Sequence, residues 1–360
     1  MIRRLLLLNG LAALAVPIHH ASGYGFSAMF EWTDRYQQVT VPNYDQIGTL
    51  SYYIIILIQQ LDYFALPAFM FVSGFFAAFA AVGSEPKLKW SIVKSRVINL
   101  LVPFAIWTIV FFILFTRRLP GSVDEILDRY YYIPLLMQFY LLAPFIVSLA
   151  KKRPKLVLIA AAVLELGRFT IRYLLDLHVS FPGQDVIIFL TPRWLFPMLF
   201  FWFALGLVIG FHRESVTQWL ARVKWALLAA VIGLGVLTMV EYAIVARATG
   251  QEWMGPYFGG FSRQVYALAF ILCFLAFDDL KIPFSAQLSD LGTKSLGIYL
   301  VHNRIMYFMA VFMYRQTPAL LGNQLLYQLI LIAVGLAGSL ILMEVVKKSP
   351  TRPVYRYVFG

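Results

Sequence analysis

The sequence predicts an all-α protein, a polytopic transmembrane helical bundle of about ten spans. Hydrophobic residues make up 61% of the 360 residues and charged residues only 13%, whereas soluble domains average about 25% charged residues. The mean hydropathy is +0.75, and apolar stretches recur along the whole chain. These observations exclude a soluble globular enzyme, a disordered chain and a single anchor on a water-soluble body.

The individual spans follow from the lengths of the apolar stretches. A helix needs about 20 mostly apolar residues to cross the hydrocarbon layer. Ten segments are predicted to do so: 5–22, 48–82, 97–115, 130–150, 155–175, 193–211, 225–246, 257–277, 295–313 and 324–346. The second is too long for a straight crossing. Pro67 and the Ser73-Gly74 pair predict a kinked or tilted helix, and two separate segments are the alternative.

The first span also resembles a secretory signal peptide. Arg3 and Arg4 precede its apolar run, and a stretch of small residues at 21–23 follows it. We predict an uncleaved first helix, because many spans follow and the His19-His20 pair is a poor approach to a cleavage site.

The distribution of basic residues predicts the orientation. With the N-terminus in the cytoplasm, 19 of the 30 Lys and Arg residues lie inside and 7 lie outside. This bias predicts that both termini are cytoplasmic in a multi-pass protein of the cell (plasma or inner) membrane. Residues 1–346 are predicted to form one transmembrane domain and residues 347–360 a basic cytoplasmic tail. The net charge of +12 is therefore assigned to basic loops beside the lipid bilayer, and no nucleic-acid partner is predicted.

Histidines within the predicted spans are the first candidates for chemistry. Charged and titratable side chains in hydrocarbon usually face the protein interior or a wet cavity. His19 and His20 end the first span, and an imidazole is the side chain best suited to proton transfer near neutral pH. A solvated pair at a helix end is the alternative. His302 and Arg304 interrupt the ninth span, where a hydrogen-bonded structural histidine is the alternative.

Charged residues in other spans are further candidates. Glu165, Arg168 and Arg172 have the i, i+3 and i+7 spacing of one helix face, which predicts a polar stripe along a cavity or a self-contained ion pair. Arg263 and Glu241 are predicted to line the same cavity or to lie at helix ends. Asp62 is predicted to pair with an arginine or to orient a histidine.

Several common chemistries are not indicated. Cys273 is the only cysteine, which excludes a disulfide framework and a thiolate metal cluster. No metal site is predicted, because no His, Cys, Asp and Glu residues have ligand spacing. The sequence has neither a nucleophile elbow nor a Walker-type loop, which argues against an α/β-hydrolase and an ATP-driven pump.

Five strings, in order along the chain, resemble landmarks of the membrane acyltransferase-3 family. They are residues 9–20 (NGLAALAVPIHH), 69–75 (FMFVSGF), 96–103 (RVINLLVP), 203–206 (FALG) and 295–302 (SLGIYLVH). The family's first helix carries Arg, ten residues and then His, so that His20 matches the His and Asn9 stands at the Arg position. Asn99 replaces the second Arg of the third-helix landmark.

The resemblance implies transfer of an acyl group, commonly acetyl from acetyl-CoA, to a hydroxyl of a sugar or related acceptor at the cell envelope. The expected donor substrate is acetyl-CoA or another acyl-CoA, and the expected acceptor is a carbohydrate or a lipid-linked molecule. In this interpretation His20 is the base. His19 is the alternative base, because the adjacent histidines allow the match to be shifted by one residue. Arg168 or Arg263 stabilises the oxyanion, and His302 or a carboxylate such as Glu165 positions the base.

Cations are required for the phosphates of such a donor. Arg96, Lys94, Lys152 and Arg263 are predicted to bind it. The ordinary positive-inside bias is the alternative explanation for the basic loop residues. The competing function is a transporter or flippase for a lipid-linked or anionic saccharide, because internal arginines with an acidic partner also suit an anionic pathway.

Overall fold

The structure is a computed structural model that describes residues 2–30, 47–81, 87–250 and 260–360. It is 85% helix, and the described residues contain no strand. The α-helices are α1 (Ile2–Phe30), α2 (Leu50–Leu61), α3 (Ala65–Ala80), α4 (Trp90–Val110), α5 (Val123–Arg129), α6 (Tyr132–Lys152), α7 (Pro154–Asp176), α8 (Gln184–Leu190), α9 (Phe200–Phe211), α10 (Arg213–Thr249), α11 (Phe261–Ala276), α12 (Ser285–Thr293), α13 (Ser295–Gln316), α14 (Gln324–Lys348) and α15 (Tyr355–Phe359). The all-helical class is thereby confirmed.

Seven helical segments of the described chain are long and apolar enough to cross a membrane. They are Ile2–Met29, Leu50–Ala80, Trp90–Thr116, Tyr132–Lys152, Arg213–Thr249, Ser295–Gln316 and Gln324–Lys348. Helices α9 and α11, with 12 and 16 residues, are apolar but shorter. Helix α7 has 23 residues but carries three charged side chains in its second half. A multi-pass membrane protein is therefore supported, whereas the count of ten spans and the orientation stay predictions.

The long second segment forms one candidate span with an interruption. A 3₁₀ turn at Asp62–Phe64 separates α2 from α3. Pro67 explains this position, because proline lacks an amide hydrogen and its ring crowds the carbonyl four residues earlier, that of Tyr63. The interruption thus lies one turn before the proline, and Asp62 is its first residue.

The helices group into two compact units. The first unit comprises residues 1–65 and 220–348, and the second comprises residues 66–219 and 349–360. In the first unit α1 packs on α12, α13 and α14. A Cβ atom on Gly10 would lie 1.8 Å from the carbonyl oxygen of Leu288 in α12. The backbones of α1 and α12 therefore touch, which only glycine permits.

The second unit has an equally close helix crossing between α3 and α9. A Cβ atom on Gly74 would lie 2.0 Å from the carbonyl oxygen of Phe203, and one on Gly206 would lie 2.0 Å from that of Phe71. Two of the strings with family resemblance, 69–75 and 203–206, thus pack on each other. Residues 349–360 also belong to this unit, where Trp107 of α4 donates a hydrogen bond of 2.8 Å to the carbonyl of Val358.

Candidate active site

The two adjacent histidines lie within α1 rather than at its end. Helix α1 continues to Phe30, because the side chains of Phe26, Ala28 and Met29 are apolar and buried. The predicted span 5–22 was therefore too short, and the position of the histidines at a helix end was wrong. Both rings are partly buried, which places them among side chains of the first unit.

His19 forms an ion pair or hydrogen bond with Asp62. The His19 Nδ1 atom lies 2.9 Å from Asp62 Oδ1, and the side chains are 24% and 6% exposed. The other carboxylate oxygen, Oδ2, is buried and has no hydrogen-bond partner among the described residues. Of the two predicted roles for Asp62, orienting a histidine is the one that this contact shows.

The His20 ring lies beside the ring of a third histidine, His302 of α13, and we call His19, His20 and His302 the histidine cluster. The centroid of the His20 ring lies 5.2 Å from that of His302, and the rings are tilted by 46°. The Nδ1 atom of His302 lies 2.7 Å from the carbonyl oxygen of Ile298. A carbonyl only accepts, so this nitrogen carries the proton and Nε2 has a lone pair. That Nε2 atom is buried and has no hydrogen-bond partner in the described parts of the chain.

Arg263 adds a buried cation to the same unit. Its Nη2 atom donates a hydrogen bond of 2.6 Å to the carbonyl of Gln59, and its guanidinium carbon lies 4.5 Å from the centroid of the Tyr63 ring. Both contacts are on the segment that contains Asp62. The side chain is 3% exposed, so Arg263 is suited to a reacting centre rather than to an exposed phosphate.

The comparison with known families identifies the class of protein. The family model of an acyltransferase domain, acyltransferase-3, matches residues 3–344. The chain belongs to the acyltransferase-3 family. It is therefore a multi-pass membrane acyltransferase. No curated protein and no solved structure matches the sequence, and neither the family match nor the described residues support the transporter or flippase alternative.

The two asparagines at family arginine positions have specific partners in this acyltransferase. The side-chain amide of Asn9 donates to the carbonyl of Gly292 at 2.7 Å and to Ser295 Oγ at 3.4 Å. It therefore joins α1 to the end of α12 and the start of α13, which carries His302. Asn99 Oδ1 accepts a hydrogen bond of 3.0 Å from Arg356 in α15.

Glu165 and Arg168 lie on α7 in the second unit. Glu165 Oε2 accepts a hydrogen bond of 2.8 Å from the backbone amide of Phe201. The residue that caps the start of α9, Leu199, has no oxygen in its side chain. The buried carboxylate therefore satisfies an amide at this helix start, which favours a structural role for Glu165. Arg172 pairs with Asp176 at 3.2 Å.

Glu241 also satisfies the start of a helix. Its carboxylate accepts hydrogen bonds from the backbone amides of Phe261 and Ser262, each at 2.8 Å. These are the first residues of α11, the helix that carries Arg263. Glu241 itself lies eight residues before the end of α10, so the predicted position at a helix end is wrong, and its carboxylate binds the start of a neighbouring helix instead.

The predicted donor-binding cations Arg96, Lys94 and Lys152 are exposed in the second unit. Arg96 and Lys94 lie in the first two turns of α4, and Lys152 is the last residue of α6. The rings of Trp90 and Phe145 are 6.0 Å apart, so the start of α4 lies beside the last turns of α6. The three cations therefore share one end of this helix pair.

Buried amide side chains are the feature that the sequence reasoning missed. Gln59, Gln60, Gln324 and Gln328 are at most 3% exposed. Each has a side-chain polar atom without a hydrogen-bond partner among the described residues. An amide within an otherwise apolar helix was the available signal, because such a group rarely faces lipid.

Proposed function

We propose that this acyltransferase moves an acyl group, with acetyl as the expected one, from acyl-CoA to a hydroxyl of a saccharide or related acceptor of the cell envelope. His20 is the general base in this proposal. The observation that carries it is the contact between the His20 and His302 rings inside a chain of the acyltransferase-3 family. His20 is also the residue at the family's histidine position.

The chemistry requires one proton to move and one bond to be exchanged. The acceptor hydroxyl gives its proton to an unprotonated nitrogen of His20 while its oxygen attacks the thioester carbonyl. The carbon–sulfur bond then breaks, and the proton passes from His20 to the departing thiolate. The products are an ester and CoA thiol, and His20 returns to its neutral state.

His302 favours the required form of His20. Its Nδ1 proton is held by the Ile298 carbonyl, so its Nε2 atom accepts hydrogen bonds and does not donate them. Among the described residues the structure shows no hydrogen bond to this atom; in the proposal an N–H group of His20 donates to it when the substrates bind, which leaves the second ring nitrogen of His20 unprotonated. His302 is thus a positioning residue, and His20 is the catalytic one.

Other groups of the first unit assist the reaction in this proposal. The pair of His19 and Asp62 holds the helix beside the 3₁₀ interruption. Arg263 of α11 supplies a buried positive charge that contacts the same segment through Gln59 and Tyr63. A cation in a site of low dielectric constant stabilises the oxyanion of the tetrahedral intermediate.

Acyl-CoA as the donor is supported by the group of exposed cations. Arg96, Lys94 and Lys152 occur at one end of the α4 and α6 pair, and phosphates bind to such groups through charge-assisted hydrogen bonds. The positive-inside bias supports a cytoplasmic position for this end and for both termini in the cell membrane. The donor is made in the cytosol, which agrees with that orientation.

The experiment uses the purified full-length chain in lipid nanodiscs with radiolabelled acetyl-CoA. We expect release of CoA thiol that increases when saccharide acceptors are added, with the label recovered in an ester. The same protein is also reconstituted into closed vesicles, where uptake of saccharide without any acyl donor and without thiol release would contradict the proposal. The same assay with succinyl-CoA and with longer acyl-CoA molecules measures which acyl groups the enzyme accepts.

A further inference from the structure

A tyrosine of α1 binds α13 one turn after the adjacent histidines. The Tyr24 hydroxyl donates a hydrogen bond of 2.8 Å to Asn303 Oδ1 and lies 3.3 Å from the carbonyl oxygen of the same residue. Both side chains are half-buried. Tyr24 follows His20 by four residues, which places the two side chains on one face of α1. Asn303 directly follows His302, so this hydrogen bond lies next to the contact between the two histidine rings.

The packing around this hydrogen bond is apolar. The Tyr24 side chain packs against a hydrophobic core of α1, α13 and α14 that includes Ala21, Ala28, Met306 and Ala310. Apolar contact is non-directional, so it does not by itself fix the rotation of one helix against another. A hydrogen bond requires a defined distance and angle between donor and acceptor. The bond from Tyr24 therefore fixes the register of α13 against α1 at the level of the histidine cluster.

Two hydrogen bonds in series set the position of the His302 ring relative to α1. The first holds the ring to its own helix, since His302 Nδ1 binds the Ile298 carbonyl at 2.7 Å. The second holds that helix to α1 through Tyr24 and Asn303. His20 lies on α1, so the separation of 5.2 Å between the centroids of the two histidine rings depends on both bonds.

We infer that Tyr24 is a positioning residue for the proposed reaction, which holds His302 where its Nε2 atom receives the N–H group of His20. The inference rests on the proposed function and adds a residue to its machinery. Tyr24 acts through Asn303 and does not touch the reacting atoms. Without the hydroxyl, α13 shifts against α1, and a smaller fraction of the His20 rings has its proton on the nitrogen beside His302. A smaller fraction then has the other nitrogen ready to accept the proton of the acceptor hydroxyl.

The test removes only the hydroxyl, with Tyr24→Phe, in the full-length protein in nanodiscs. Tyr327→Phe is the matched control, because the Tyr327 hydroxyl lies in the same hydrophobic core and has no hydrogen-bond partner in the described parts of the chain. Release of CoA thiol from acetyl-CoA is measured with methyl β-D-glucopyranoside as the acceptor. Per folded molecule, we expect Tyr24→Phe to lower kcat about three- to tenfold, with the KM for acetyl-CoA unchanged. Wild-type kcat in Tyr24→Phe, or an equal loss in Tyr327→Phe, would overturn the inference.

A second comparison separates positioning from a general structural role. Tyr24→Phe is also made in a His302→Ala background. Residues that act through one another are not additive, so we expect no further loss of kcat from Tyr24→Phe once His302 is gone. The same fold-loss in both backgrounds would show that the effect does not pass through His302 and would overturn the inference.

Solid-state NMR of nitrogen-15-labelled histidines gives a readout that does not depend on activity. The chain has five histidines, and the signals of His20 and His302 are assigned by their loss in His20→Ala and His302→Ala. We expect Tyr24→Phe to shift these two signals and to leave those of His178 and His212, which belong to the second unit, unchanged. Unshifted signals of His20 and His302 would overturn the inference. Shifted signals in a protein whose wild type releases no CoA thiol would refute the proposed function and support the positioning role of Tyr24.

Discussion

The Nδ1 atom of His19 lies 2.9 Å from Oδ1 of Asp62, which is the first residue of the 3₁₀ turn between α2 and α3. The contact joins residues 43 positions apart. It fixes the side of α1 that carries His19, and the neighbouring imidazole of His20 faces His302 on α13. The two adjacent histidines therefore have different partners, which predicts different roles.

Asp62→Asn keeps the size of the side chain and removes its charge. We expect kcat to fall about tenfold, with little change in the KM for the donor or for the acceptor. A hydrogen bond to a charged group contributes about 1.5–3 kcal/mol, and this one positions α1, which carries the proposed base His20. His19→Ala should give a similar loss. Steady-state kinetics on both single variants and the double variant checks this, since residues that act as one pair are not additive. Additive losses in the double variant would refute the pairing.

Glu165 is expected to stabilise the fold and not to react. Its carboxylate satisfies the amide of Phe201 near the start of α9, and loss of such a cap costs about 0.5–2 kcal/mol. Glu165→Leu should therefore lower the thermal unfolding midpoint, with kcat per folded molecule unchanged. Glu165→Gln retains an oxygen acceptor and should recover part of the midpoint. A loss of kcat above a hundredfold at an unchanged midpoint would show that Glu165 is catalytic.

Arg356 is expected to contribute to donor binding. Its guanidinium donates to Asn99, three residues after Arg96 and thus on the same face of α4. Arg356→Leu should raise KM for acetyl-CoA several-fold and leave kcat unchanged, because an exposed phosphate contact is partly screened by solvent. Arg352→Leu removes an equal charge from the same tail and serves as the control. An equal rise in the KM for acetyl-CoA in both variants would contradict a specific role of Arg356 and would show that donor binding depends only on the net charge of the tail.

The sequence predicts the helices well because an apolar stretch is a local property. Each of the ten predicted segments overlaps a helix of the structure, although several helices, above all α1 and α10, extend beyond the predicted bounds. Partnerships across the bundle are not local. The spacing of residues cannot show that His20 meets His302, that Asn9 binds Gly292, or that Tyr24 binds Asn303. The sequence also cannot show which carboxylates bind the start of another helix, as Glu165 and Glu241 do with backbone amides of α9 and α11.

The most direct test of the account is the rate of acetyl transfer from acetyl-CoA by His20→Ala, measured beside His19→Ala on equal amounts of folded protein. Loss of a general base reduces the rate about 10²–10⁴-fold, so we predict a loss in that range for His20→Ala and a loss of only about tenfold for His19→Ala. Wild-type transfer by His20→Ala, or a greater loss in His19→Ala, would contradict the assignment of His20 as the base.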